Sequence, residues 1–143
     1  MNGETLEKRL YDIAKSFNKS VLNVGGNVYY RGLRPIQKNA SSYKEDIVVA
    51  FLTGDGSDLQ KGTCLVNVYV PDVQVGSGMF YTNKERCAVV AEALEQFAVF
   101  ANQSGSDIYF KQNGMIATLA EEDIRQHFVS LKLEFKEIGR AHV

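Results

Sequence analysis

The sequence holds no apolar run near the ~20 residues that a membrane-spanning helix requires, only two cysteines and two prolines, and a net charge of only −1. Each shortage excludes something. Near-zero charge argues against a broad electrostatic grip on nucleic acid or anionic lipid. Cys64 and Cys87 lie inside apolar patterns without metal or redox-motif spacing, so both read as reduced core residues. The opening stretch "MNGETLEKRLYDIAK" is charged and amphipathic and lacks the apolar core of a secretory signal, so the chain is expected in the cytoplasm where it is made.

At 143 residues, 45% of them hydrophobic, the chain suits one domain that buries about two-thirds of the surface its unfolded form exposes. The closing "EIGRAHV" breaks the amphipathic pattern, and as codons it can be spelled by the start of a common sequencing adapter. The domain is therefore read as residues 1–137, with 138–143 set aside as an artefactual or disordered tail, which removes His142 from consideration.

Leu6, Leu10, Ile13, Ala14 and Phe17 recur at the spacing of one helical stripe, with Glu4, Glu7, Lys8, Asp12 and Lys15 opposite, so residues 4–17 form an amphipathic helix. "NVGGN" ends it, and "VYYRGLRP" reads as a short strand closed by Pro35. Two stronger strands follow, "DIVVAFLT" and "TCLVNVYV". In the second, Cys64, Val66, Val68 and Val70 share the core face and Thr63, Leu65, Asn67 and Tyr69 the other. Pro71 stops this strand, and "DVQVGSGMFY" is read as a crossing loop.

Thr82 and Glu85 have capping-box spacing, and Cys87, Val90, Ala91, Leu94, Phe97, Ala98 and Ala101 form one wide apolar arc on the helix that follows, with Gly105 as its stop. "DIYFKQNGMIATL" predicts a hairpin turning at Asn113-Gly114. In "QHFVSLKLEFK", His127, Val129, Leu131, Leu133 and Phe135 face one way. The order α-β-β-β-α-β-β predicts an α+β fold: an antiparallel sheet of about five strands with two helices packed on one face.

"FLTGDGSDLQKG" is the first candidate for chemistry. Its register fits neither a calcium loop nor a phosphate loop, since Lys61-Gly62-Thr63 reverses the required Gly-Lys-Thr ending. A hairpin tip explains the residues instead: Gly54 and Gly56 allow positive φ, and Asp55, Ser57 and Asp58 bond back to the turn. His127, near Glu121, Glu122 and Asp123, suggests either a general base or metal ligand, or a solvated strand-end residue. Ser41, Ser42 and the cysteines have no base at a readable spacing. Arg31 and Arg34 beside Tyr29 and Tyr30 admit two readings: a nucleic-acid contact by stacking and charge, or an edge strand with snorkelling side chains. No metal, cofactor or catalytic set is expected.

"YYRGLRPIQKNASSYKEDIVVAFLTGDGSDLQKGTCLVNVYVPDV", a capped helix, and "IYFKQNGMIATLAEEDIRQHFVSLKLEF" together resemble the small tail-completion or tail-terminator proteins of long-tailed bacteriophages, in versions carried by phages and prophages of Bacteroides-type bacteria. The likeness rests on "RP" followed by a polar insert, on "KEDIVV", on the strand end "VNVYVPD" and on "QHFVSLKL", and spans about residues 4–136. The resemblance implies a structural virion protein and not an enzyme. Such a protein forms a ring, typically a hexamer, at the head-proximal end of the tail, ends tube polymerisation and joins the tail to the head connector.

The implied partners are further copies of the chain, the tail tube protein and the head–tail connector, with passing contact to DNA in the lumen and none to membrane. The implied location is the neck of the virion, after synthesis in the host bacterial cytoplasm. A heterologous ring contact needs two different complementary faces. The wide arc of the second helix suits one, and the hairpin at 53–62, with Asp55, Ser57, Asp58 and Lys61, suits a neighbour contact or the lumen wall, its acids repelling DNA. Arg31 and Arg34 are candidate partner contacts. A head-completion, minor tail or adaptor protein of the same build and a small nucleic-acid-binding module are the alternatives.

Overall fold

The computed structural model describes residues 1–35, 44–54, 60–103, 105 and 107–138. Helix α1 (Gly3–Phe17) starts where the Asn2 side chain accepts the Thr5 N–H at 2.8 Å, and it buries the expected stripe of Leu6, Leu10, Ile13, Ala14 and Phe17. It runs on through a π-helical turn (Asn18–Leu22) that Asn23 stops in the left-handed region at φ 53. The Asn18 side chain then takes the Val24 N–H at 2.8 Å, so the exit from the helix is pinned at both ends of the turn.

Strands β1 (Val28–Tyr30), β2 (Asp46–Gly54) and β3 (Lys61–Pro71) follow, then a two-stranded ribbon of β4 (Val73–Gln74) and β5 (Phe80–Tyr81). Helices α2 (Lys84–Leu94) and α3 (Phe97–Gln103) precede β6 (Ile108–Gln112), β7 (Ala117–Glu121), a 3-10 turn (Glu122–Ile124) and β8 (Gln126–Glu137). The main sheet runs β1-β2-β3-β8-β6, with β7 also on β8. It is an α+β fold, antiparallel except for β1 on β2, where Val28, Tyr29 and Tyr30 lie opposite Ile47, Val48 and Val49 in parallel register.

The helices cover one face. Beneath them lie Ile47, Val49, Cys64, Val66, Val68, Val70, Val129, Leu131, Leu133 and Phe135, each at most 2% exposed. Phe17 joins α1 to α3 by edge-on contacts with Phe97 and Phe100, at 5.0 and 5.3 Å between ring centroids. The expected long second helix breaks at Glu95 and Gln96 into α2 and α3. Cys87, Val90, Leu94, Phe97 and Ala101 nonetheless stay on the core side. No helix among the described residues is long and apolar enough to cross a membrane.

Two turn assignments are corrected. β6 and β7 do not pair with each other. Both run antiparallel to β8, Gln112 opposite Leu133 and Ala117 opposite Ser130. Residues 113–116 span only Leu131 and Lys132 of β8, so β6 and β7 form one run along β8 interrupted by a bulge. Only Gly114 takes positive φ (83), whereas a type I′ turn needs it at Asn113 too. The reversal comes at 122–125 instead, closed by Arg125 at φ 54. In the β2–β3 hairpin, Gly54 lies within β2 opposite Gly62 and without positive φ. Gly62 serves close packing: a Cβ there would meet the Thr53 carbonyl at 2.0 Å and the Phe135 ring at 2.8 Å. The tip of that hairpin lies outside the described residues.

Both cysteines are buried thiols. Burial pushes Cys64 from 9.0 up to about 12. Burial also raises Cys87, helped by the nearby Asp72 and Glu45 carboxylates and opposed by Arg86. Iodoacetamide in mildly alkaline buffer is therefore expected to leave Cys64 unmodified in the native chain and to label both thiols after denaturation, as read by peptide mass mapping. The sign of the linked pH effect is fixed too. Above 9.0 the unfolded thiol ionises while folded Cys64 keeps its proton. Stability then falls as pH rises, by about 1.4 kcal/mol per unit from this group.

Candidate functional site

Pro71 cannot donate to the next rung, so β3 leaves the sheet and the chain makes an eleven-residue excursion from Asp72 to Thr82. The excursion is an ordered ribbon and not the irregular loop the sequence suggests. Val73 lies opposite Tyr81 and Gln74 opposite Phe80, and the Val75 N–H bonds the Met79 carbonyl at 2.8 Å. Gly76 and Gly78, at φ 69 and 76, turn the tip around Ser77. In that register Val73, Val75, Met79 and Tyr81 share one side of the ribbon. All four stand in solvent, 43–52% exposed. Phe80 points the other way, beneath the Arg125 guanidinium at 4.1 Å.

Asp72 and Thr82 are the next rung down, and a single imidazole holds both. His127 Nδ1 lies 2.6 Å from Asp72 Oδ1, and its Nε2 lies 3.0 Å from Thr82 Oγ1. With Nδ1–H donated to the carboxylate, Nε2 accepts the threonine hydroxyl proton. The Asp72 N–H also donates to the Arg125 carbonyl at 3.0 Å. The foot of the ribbon is thereby stitched to the β7–β8 turn and to the second residue of β8.

Carboxylate, imidazole and hydroxyl in that order also describe a relay that activates a nucleophile. Such a site also needs preorganised donors for the oxyanion, and three of the nearby N–H groups already have partners. The Lys84 N–H bonds Thr82's own carbonyl, the Cys87 N–H the Asn83 carbonyl, and the Arg86 N–H the Asn83 side chain. Thr82 is thus not the helix cap that the capping-box spacing predicts. Asn83 caps α2, and the Thr82 hydroxyl is left to His127. The acidic turn 121–123 supplies His127 with no hydrogen bond. Among the described residues no group of three or more His, Cys, Asp or Glu could hold a metal ion.

Beside this clasp, a cleft of about 430 Å³ runs between the flank of α2 and β7, walled by Lys84, Cys87, Ala88, Ala91 and Thr118 with His127 at its end. On the opposite face of the sheet, a second cleft of about 490 Å³ lies over Val48, Leu65, Asn67, Tyr69 and Phe128. Arg31 and Arg34 both border it, but only Arg31 is exposed. Arg34 is held inside the protein: its Nε donates to Asp46 Oδ2 at 2.9 Å, its Nη2 to the Lys44 carbonyl at 3.2 Å, and its guanidinium lies 4.2 Å from the Tyr69 ring centre. Burial, seconded by Glu121, raises the Tyr69 phenol, while Arg34 and Arg31 oppose it.

Of the hairpin candidates, Asp55, Ser57 and Asp58 lie outside the described residues. Lys61 sits exposed at the start of β3, by a shallow hollow shared with Thr53, Thr63 and Glu134. The ribbon and its clasp are the features that sequence reasoning missed. The available signal was Pro71-Asp72 and Thr82 placed symmetrically about "VGSGM", with Val73, Val75, Met79 and Tyr81 in alternation. No protein-family model matches the sequence, and no curated protein is significantly similar to it.

Proposed function

We propose that the protein is a structural assembly subunit that closes into a ring at the head-proximal end of a phage tail, ends tail-tube polymerisation and joins the tail to the head connector. One observation supports the self-assembly at its root: a ribbon with four apolar side chains on one outward face, held at a fixed angle by His127. Unpartnered apolar groups of this size, rimmed by polar residues, mark protein contacts. A rigid foot limits the ordering entropy that docking must offset. Exposed Val89 and Val99 on the outer sides of α2 and α3 offer an unlike second face, as a heterologous, closing contact requires. The partners in this reading are further copies of the chain, the tail tube protein and the connector, and the resemblance of residues 4–136 to tail terminators supplies the identity of the last two.

Native mass spectrometry of the full chain is the direct test. A closed oligomer, expected to be a hexamer, should collapse to monomer in Val75→Asp and Met79→Asp while the far-ultraviolet circular dichroism stays unchanged. A wild-type chain that remains monomeric at high concentration would defeat the ring. In a phage that carries the gene, its deletion should leave tails of uncontrolled length and unjoined heads, and normal virions would defeat the placement at the neck.

A further inference from the structure

We infer that the outer edge of β7, together with the flank of α2, is a strand-addition groove for an extended segment of another protein, one that carries a mid-sized aliphatic side chain and a carboxylate. The inference does not rest on the ring, because it uses neither the ribbon nor the outer sides of the helices.

The edge comes first. In an antiparallel ladder successive residues point their N–H and C=O groups to alternate sides. The Asn113 N–H bonds the Lys132 carbonyl and the Ile138 N–H the Asp107 carbonyl, so the even-numbered residues of β8 face β6 and β7. Ala117, Leu119 and Glu121 stand opposite the even residues Ser130, Phe128 and Gln126. The N–H and C=O groups of Thr118 and Ala120 therefore point outward, with no partner among the described residues.

The same edge is treated differently one bulge earlier. There the Asn102 side chain of α3 accepts the Phe110 N–H and donates to the Phe110 carbonyl, both at 2.8 Å, occupying β6 as a neighbouring strand would. Edge strands are ordinarily guarded by charge, proline or cover. Residues 114–120, "GMIATLA", contain no charge and no proline. β7 is exposed along almost its whole length, and Met115 before it is 93% exposed.

The groove says what side chains the guest carries. A strand added beside Thr118 and Ala120 would send every second side chain toward α2, into the 430 Å³ cleft over Ala88 and Ala91. Those small walls fit one branched aliphatic side chain. Lys84 stands exposed at the mouth, at the positive end of α2, and has no salt-bridge partner among the described residues. A carboxylate on the guest satisfies both charges. The exposed ribbon of a second copy carries the alternating valines but no carboxylate anywhere in 73–81, so a partner of different sequence fits better.

The test is selection on the immobilised full-length protein from a random ten-residue phage-displayed library, followed by titration of the winning synthetic peptide. The expected consensus alternates aliphatic residues and includes an acid. Binding should shift the amide resonances of Thr118 and Ala120 and fall at least tenfold in Ala88→Tyr, which fills the cleft, and in Thr118→Pro, which removes an outward donor. Lys84→Glu is an exposed change that keeps the test alive should those two fail to fold, and it should weaken binding of the acidic peptide to the same degree. No enriched sequence, affinity changed less than twofold by the variants that fold, or a consensus matching residues 73–81 would each overturn the inference.

Discussion

Phe17→Ala should lower the unfolding free energy by about 3–5 kcal/mol, the cost of truncating a large, fully enclosed aromatic. Phe17 is 1% exposed and sits where three helical segments meet: it ends α1 and contacts Phe97 at 5.0 Å and Phe100 at 5.3 Å. Alanine would leave a cavity between α1 and α3 that neither helix can close, because α1 is tied at its far end by the π-helical turn and α3 by Asn102 on Phe110. The midpoint of thermal unfolding should drop by roughly 10–15 °C for a chain of this size. Urea titration checks the mechanism: the slope stays constant and the midpoint moves. Phe17→Leu refills most of the volume and should recover more than half of the loss. Equal losses in both variants would mean that edge-on ring geometry, and not volume, dominates.

Asp46→Ala should cost a similar amount for a different reason. Asp46 is 4% exposed and accepts from the Asn27 N–H at 2.8 Å and from Arg34 Nε at 2.9 Å. Removing the carboxylate strands a guanidinium whose own side chain is only 10% exposed. Breaking one half of a buried pair typically costs about 3–5 kcal/mol, whereas removing both halves costs far less. The double variant Asp46→Ala with Arg34→Met should thus be more stable than Asp46→Ala alone, and a double-mutant cycle by chemical denaturation measures the coupling. Purely additive losses would show that Arg34 is solvated and the pair unimportant. Gly26 belongs to the same site, since a Cβ there would lie 1.9 Å from Asp46 Oδ1.

Local periodicity made much of this fold legible. The stripe from Leu6 to Phe17, the alternation from Cys64 to Val70 and that from Val129 to Phe135 each report which side of an element is buried, and the structure buries those sides. Legibility failed wherever a residue's partner is distant in the chain. Thr82 looks like a cap because its neighbours have capping spacing, yet its hydroxyl is taken by a histidine 45 positions on. Arg34 looks like a surface contact because its carboxylate partner is 12 positions away in the chain. Asn113-Gly114 has hairpin chemistry, but β8 supplies a longer ladder to both flanking strands and overrides the local preference. The ribbon is hard to read because its strands have two residues each, so the alternation of Val73, Val75, Met79 and Tyr81 is brief and is split by the glycine turn.

The place of β8 bears on how the chain acquires its shape in time. The β2–β3 hairpin joins neighbours in sequence and can form as soon as it leaves the ribosome, whereas the middle of the sheet stays vacant until residues 126–137 are made and enter between β3 and the β6–β7 strand. Pairing across so many intervening residues is slow. During that interval the inner edge of β3 and the valines beside it are bare, which makes the nascent chain prone to misassociation until its last described strand arrives.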